Sequence, residues 1–363
     1  MADVLGLGIT HYPGLAYQGN LAGRINLLRS DPVLPEHLRS PKNWPAPMRE
    51  QWSDDDGLAH STAHRQDMID QFRLIRRELD AFNPDLVIIW GDDQFENFRE
   101  DCVPAFAVLA YDQVEIHPWS HEPRPASGPG TPGSAQVRNS WDEPDDTLRT
   151  IQGHPEAGRY VANALIREGF DIAYAYKPLH GPGLGHAMVN SVLYLDWDRQ
   201  GFPYPVVPIT VNAYGRALVS RRGRPQTPSQ VAAITAPEDP VGPQPWRCFQ
   251  LGAAVARATA ASPWRVALIA SSSWSHSFLV EKHALMYPDV ESDRRFYESL
   301  AEGDWDLWRN VEIEDAEDRG HQELLNWFCL AGAMDELKRK PDYSVFLESW
   351  ITNSDKVFAA FRP

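Results

Sequence analysis

The sequence predicts an α/β fold in a single domain, with a central mostly parallel or mixed sheet flanked by helices on both faces. Three observations carry this expectation. Short apolar runs rich in β-branched residues recur along the chain, a Gly or polar turn follows each, and segments of helical period lie between them. Strands that alternate with helices form a sheet covered on both faces, so its strands read as continuous apolar runs.

The elements follow in order. VLGLGIT (4–10) is the first strand, and the Pro- and Trp-rich stretch 13–63 after it is an irregular insertion ending in GLAHSTAH. HRQDMIDQFRLIRRELDAF (64–82) spaces Met68, Phe72, Ile75 and Leu79 by three and four residues, which makes it a helix with one apolar stripe. DLVIIW (85–90) is the second strand. A second insertion, 117–147, is dense in Pro, Gly and Ser. EAGRYVANALIREG (156–169) is a helix with Tyr160, Ala164 and Ile166 near its core face, and FDIAYAY (170–176) is the third strand. YPVVPITV (204–211) is the fourth. The third insertion, 215–246, is again rich in Pro and Gly but more basic, and WRVALIAS (264–271) is the fifth strand. The βα pattern resumes after each insertion, so these are surface excursions or active-site lids on one catalytic domain, 1–363, and not linkers.

Bulk composition excludes several function classes. The 363 residues are 43% hydrophobic with a formal charge of −16, enough for a sizeable core and without a basic stripe for phosphate backbones or anionic lipid. No nucleic-acid or membrane partner is expected. No apolar run reaches the roughly 18 residues of a membrane span, and the first residues lack a basic, cleavable leader, so a cytoplasmic protein is expected. Cys102, Cys248 and Cys329 are far apart in sequence with no CxxC spacing, and read as reduced core residues.

Ligands of open α/β sheets bind outside the carboxyl ends of the strands. Those ends carry Thr10 and His11 after the first strand, Asp92, Asp93 and Gln94 after the second, His180 after the third, Asn212 after the fourth, and Ser275 and His276 after the fifth. A single histidine at a strand end is most often a hydrogen-bonded structural residue. Three strand ends with imidazole form a converging set of the kind that metal and acid/base sites require. His60 and His64, spaced i, i+4, are a weaker ligand pair. A carboxylate is needed beside two histidines for an iron-type site. In HQELLNWFCLAGAMDEL (321–337), helical spacing puts Glu323 on the stripe of Trp327 and Leu330, where a carboxylate is costly unless paired or bound to a cation. Tyr12, Phe95, Trp274 and Phe278 adjoin these polar ends as candidate ring-binding walls, although aromatics there are more often core. Ser275 has no GxSxG context for a hydrolase.

With these residues in place, the chain resembles the class III extradiol ring-cleavage dioxygenases, the superfamily of the protocatechuate 4,5-dioxygenase catalytic subunit. The likeness rests on GITHYPGL, DLVIIWGDDQFENFREDCVPAFAV, GHPEAGRYVANALIREGFDIAYAYKPLHG, YPVVPITVNAY, SSSWSHSF and GHQELLNWFCLAGAM, in that order along most of the chain. The resemblance implies Fe(II), or another divalent metal, held by two His and one Glu, with a further His as acid/base. By position, His11 is the first ligand, Glu323 the carboxylate ligand, and His276 the acid/base. His180 is a catalytic, substrate-contacting histidine, with His186 as its rival and Asp93 among the substrate-binding residues. The implied partners are a small aromatic substrate and O2, with a homodimer by analogy.

One position departs from the pattern. Gln94 stands where the superfamily has its second histidine ligand, and three readings stay open. Gln94 binds the metal through its amide oxygen, a poorer donor than imidazole; or His60, His64 or Asp93 supplies the missing ligand; or the site holds no iron. The function expected is an extradiol-type dioxygenase acting on a catecholic, aminophenolic or hydroxylated heteroaromatic ring; the alternatives are a metal-dependent lyase or hydrolase on the same scaffold, and a catalytically silent relative that binds a small molecule or a protein.

Overall fold

The structure is a computed structural model that describes residues 3–119, 138–181 and 183–363. Part of the 117–147 insertion, residues 120–137, therefore lies outside the described residues.

Among the described residues eight strands form one mixed sheet in the order β6-β3-β7-β2-β8-β1-β10-β9. The five expected strands are β1 (Val4–Ile9), β2 (Leu86–Asp92), β6 (Ala173–Ala175), β7 (Val206–Val211) and β8 (Val266–Ser271). Between them fall β3 (Phe106–Leu109), β4 (Gln113–Ile116) and β5 (Arg149–Gln152), and after them β9 (Tyr343–Leu347) and β10 (Lys356–Phe361), none of which the apolar runs indicated. The four central strands β7, β2, β8 and β1 are parallel, whereas β3 joins β7 and β10 joins β1 antiparallel. Strands β4 and β5 pair separately. Because the centre is parallel, His11, Asp92, Asn212 and Ser272 all follow strands at the same edge of the sheet.

Among the described residues six helices of ten residues or more cover the two faces: α1 (Leu58–Phe82), α2 (Pro155–Arg167), α3 (His186–Leu195), α4 (Pro245–Ala260), α5 (Val290–Glu302) and α6 (Leu325–Glu336). Alternate strand residues feed two cores. Leu86, Ile88, Trp90 and Leu268 pack under α2, α4 and α6, while Leu5, Leu7, Ile9, Val87 and Ile89 pack under α1 and α3.

Two glycines set how close the site-bearing helices come. A Cβ on Gly8 would lie 2.0 Å from the Trp327 ring of α6, and one on Gly91 would lie 2.9 Å from Met188 Cε of α3. The glycines of VLGLGIT and IIWGDD are therefore contact surfaces for the helices that follow Glu323 and begin with His186.

Several expectations need correction. α1 begins at Leu58, so it absorbs GLAHSTAH, and the rest of 13–63 folds into short helices around a satellite cluster of Ile25, Leu28, Trp44, Met48 and Trp52. On α2 the buried face is Ala157, Val161, Ala162 and Leu165, and Ile166 is exposed, because the core stripe is rotated by one residue from the one expected. Cys248 and Cys329 are buried, but Cys102 sits exposed in a surface turn. Helix α6 starts at Leu325, so Glu323 lies in the turn before it and not on a helical stripe. The helix is buried all round, which removes the periodicity on which that stripe depended.

Candidate metal centre

His11, Asp92 and His186 converge: each offers one donor atom, and these atoms lie within 4.8 Å of one another. The sheet supplies the first two from the ends of β1 and β2, and the first residue of α3 supplies the third.

The tautomer of His11 follows from its neighbours. Nδ1 lies 3.0 Å from the Ser271 carbonyl oxygen, to which it can only donate, so the lone pair resides on Nε2. That nitrogen is buried, has no hydrogen-bond partner among the described residues, and faces Asp92 Oδ1 at 3.4 Å and Glu323 Oε2 at 3.3 Å. A lone pair directed at two carboxylate oxygens is repulsive in a dry site unless a positive charge lies between them. A proton on Nε2 or a cation would relieve this repulsion, and the convergence of Asp92 and His186 donors on the same point fits the cation.

His186 is oriented the same way. Its backbone N–H and its Nδ1 both donate to the Glu96 carboxylate at 3.0–3.1 Å, which leaves Nε2 as the acceptor. Burial lowers its affinity for a proton, but Glu96 first, then Asp92 and Glu323, raise it to about 9. The field that draws a proton there also draws a cation. The two imidazole rings meet edge to face at 5.0 Å.

The carboxylates split in character. Asp92 is pushed up to about 6 by burial and then by the charge of Glu323. Glu323, despite a burial effect in the same upward direction, is held down to about 2 by His276, His11 and Tyr214. The Tyr214 hydroxyl donates to Glu323 Oε1. Gln94 Nε2 lies 3.1 Å from Asp92 Oδ2, 3.0 Å from Glu323 Oε1 and 2.8 Å from Tyr214 Oη.

His276 completes the cluster, with Nε2 3.3 Å from Glu323 Oε2, and burial lowers its pKa so that it is neutral near pH 7. Its loop is bolted down: His276 N–H donates to Gly320 O, and Ser275 N–H donates to the Asp293 carboxylate. The Ser275 hydroxyl donates to Arg319 O at 2.6 Å and accepts Asp289 N–H at 2.8 Å, so it is occupied by structural bonds and unsuited to nucleophilic attack.

Other expected site residues go elsewhere. His180 pairs with Asp101 at 3.0 Å on the protein surface, and the structure does not bring it to His11; the position goes to His186. Asp93 turns away from the donors and accepts the backbone N–H groups of Glu96, Asn97 and Phe98, with burial and Glu96 raising its pKa to about 7. Trp274 is fully buried between Trp308 and Trp327, a core residue and not a wall. Phe95 lies over Tyr214, Leu218 and Phe278 with a left-handed φ of 63°, a strained conformation for a bulky residue beside a site. Tyr12 is buried under the Nζ of Lys356, 4.2 Å from the ring centre. His60 and His64 stack on α1, where His60 bonds Ser349, and neither belongs to the donor cluster. Sequence reading passed over Asp92 as a donor, and it passed over Tyr214, whose reach to Glu323 depends on the turn after β7.

Comparison with known proteins adds a family likeness. The family described as the catalytic LigB subunit of aromatic ring-opening dioxygenase matches residues 229–358, a span that holds His276 and Glu323. Over that span the chain is similar to the catalytic subunits of aromatic ring-opening dioxygenases. Similar proteins include the 2,3-dihydroxyphenylpropionate/2,3-dihydroxicinnamic acid 1,2-dioxygenases of Paraburkholderia phymatum and Burkholderia vietnamiensis. Each is 26% identical over 204 residues, covering 56% of this chain and 47% of the relative. The chain thus spans about half the length of the curated relatives it matches.

Proposed function

We infer that this chain is a class III extradiol-type, ring-cleaving dioxygenase that uses O2 and Fe(II), or another divalent metal, on a catecholic, aminophenolic or hydroxylated heteroaromatic ring. The observation that carries the reading is the buried, unpartnered Nε2 of His11 facing two carboxylates. His11, His186, Asp92 and Glu323 would hold the metal. Bound there, the ion would supply Lewis acidity and a redox centre on which ring and O2 meet. The residues supply the rest. His276, neutral and buried, would take a phenolic proton as the ring docks and return it during ring opening, a role that suits an imidazole. Glu323 beside it would stabilise the imidazolium formed in between. Tyr12 and Phe95 would bound the ring.

In this reading residues 1–363 act as one catalytic domain, with cytoplasmic location and a homodimeric state as further expectations. Among the described residues no helix is long and apolar enough to cross a membrane.

The test is purification without oxygen, quantification of bound metal, and O2 uptake with a panel of catechols, aminophenols and hydroxypyridines. Near-stoichiometric metal with uptake and ring-opened product is the expected result. Metal without uptake on any ring would replace the dioxygenase by a lyase or hydrolase, and an intact fold that takes up no metal would refute both.

A further inference from the structure

We propose that Gln94 is not a metal ligand but the jaw of a clamp which, with Tyr214, grips one oxygen of Asp92 and one of Glu323, so that Asp92 fills the coordination position that Gln94 leaves. The proposal rests on the metal reading above.

The orientation of the amide decides its role. One end of the Gln94 side chain faces Asp92 Oδ2, Glu323 Oε1 and Tyr214 Oη, all within 3.1 Å. Amide nitrogen and oxygen are assigned from their partners. An oxygen placed there would meet two carboxylate oxygens in a buried site, whereas an NH2 group offers one proton to each. The donor end must therefore face the carboxylates, and the amide oxygen points away from them.

The side chain is also held in place from outside. Gly223, in the 215–246 segment, is buried and has a φ of +59°, and a Cβ added there would lie 2.8 Å from Gln94 Cγ and 3.1 Å from its Cδ. The segment presses on the Gln94 side chain at the one residue type that permits such contact, which opposes rotation of the amide.

The clamp divides the four carboxylate oxygens in two pairs. Asp92 Oδ2 and Glu323 Oε1 are taken by Gln94, and Glu323 Oε1 also by Tyr214. Asp92 Oδ1 and Glu323 Oε2 are the ones that face His11 Nε2. Each carboxylate is thereby restricted to one oxygen toward the cation. The missing imidazole is compensated by a carboxylate two residues upstream, and the donor set becomes richer in hard oxygen, which favours Mn(II) and Fe(II) over softer ions.

The experiment compares Asp92→Asn, Gln94→Leu, Gln94→His and Tyr214→Phe with wild type by anaerobic calorimetric titration of Mn(II) and by the visible spectrum of the Co(II) form. Asp92→Asn should lower affinity at least 100-fold. Gln94→Leu and Tyr214→Phe should lower it about 3- to 30-fold with the Co(II) band positions retained, and Gln94→His should bring no gain. Gln94→Leu as damaging as Asp92→Asn with a changed Co(II) spectrum, or a clear gain with Gln94→His, would overturn the clamp while leaving the metal site standing. Wild type that takes up no metal overturns the metal reading, and the clamp with it. Should Asp92→Asn not fold, a crystal structure of Mn(II)-loaded wild type decides: the Gln94 oxygen in the coordination sphere refutes the proposal, and Asp92 in it with the amide nitrogen on both carboxylates supports it.

Discussion

Gly8→Ala tests whether the site is set by the contact of α6 on β1. The new methyl carbon would fall 2.0, 2.4 and 2.8 Å from three carbons of the Trp327 ring, where ordinary contact needs about 3.5 Å. The ring cannot yield: it is fully buried, it packs edge to face on Trp274 at 5.4 Å, and its N–H is bonded to Ser272 O at 3.2 Å. Relief requires α6 to retreat by about 1 Å or more, and overpacking of this kind costs about 1–3 kcal/mol, occasionally more. Stiffening of the unfolded chain offsets about 0.4–1 kcal/mol of that. A net loss of about 1–2 kcal/mol should appear as a lower urea midpoint at unchanged slope. Because Glu323 is four residues before Trp327, Mn(II) affinity should fall as well. Gly23→Ala is the control, since nothing lies within 4 Å of the added carbon, and it should change stability by no more than about 0.5 kcal/mol. In Gly8→Ala combined with Trp327→Leu the two losses should be less than additive by about 1 kcal/mol. A Gly8→Ala protein with an unshifted midpoint, or strict additivity in the double variant, would refute the reasoning.

Three further outcomes are expected. Asp31 accepts hydrogen bonds from Ser229 Oγ at 2.5 Å and from the N–H groups of Ser229 and Val33, and although burial acts upward, these bonds hold its pKa down to about 2. A depressed carboxylate stabilises the fold above its unfolded value near 3.8 and loses that effect as pH falls through its folded value near 2, so Asp31→Asn should remove on the order of 1–2 kcal/mol at pH 6 and no more than about 0.5 kcal/mol at pH 2, read from urea midpoints across that window. His186→Ala should weaken Mn(II) binding at least 100-fold and His180→Ala by less than 3-fold in the same titration; the reverse order would restore His180 to the site. Chelation of the metal should lower the thermal midpoint, because a ligand present at 100 times its Kd adds about 2.7 kcal/mol to the native state, and an unmoved midpoint in metal-loaded protein would contradict a site built into the fold.

The parallel centre of the sheet was legible because its strands are buried on both faces and so read as unbroken apolar runs. That reading carried the two histidines at the β1 and β8 ends to the correct edge, since parallel strands finish together. The flanking strands were not legible: β3 and β9 are short, with four and five residues, and β10 follows a charged and polar stretch and pairs with β1 at the far end of the chain. Glu323 was found for a partly mistaken reason. The cost of burying a carboxylate held, but the helical stripe did not, since α6 is apolar on all sides and starts two residues later. His186 could not be separated from His180 in KPLHGPGLGHAM, because what selects it is the Glu96 carboxylate, 90 residues earlier in the chain, which binds both its backbone and its ring. Asp92 was hidden by its neighbour. The resemblance directed attention to position 94, and only the side-chain geometry shows the carboxylate two residues before it facing the shared centre.

The same geometry constrains how anything enters. His11, Asp92 and Glu323 are each no more than 3% exposed, so neither a metal nor an aromatic ring reaches them without displacement of a covering segment. The sheet and its two packed helices cannot move without breaking the cores beneath Gly8 and Gly91. The 215–246 segment covers the centre through a small apolar contact, Leu218 on Phe95, Phe278 and Leu279, and through polar ones that include Arg24 to Gln226 O, Ser229 to Asp31, Arg221 to Glu281, and Arg216 to Glu314 and Glu317. Gly223 of that segment lies on Gln94, and Arg222 over the Phe95 ring at 5.0 Å. The residue in the ligand's place is thus the one the cover touches, and displacement of the cover would free the amide that fixes both carboxylates. Under the proposed clamp, access to the centre and the order of its oxygen donors would be coupled through one side chain, a coupling that a histidine bound directly to the metal would not provide.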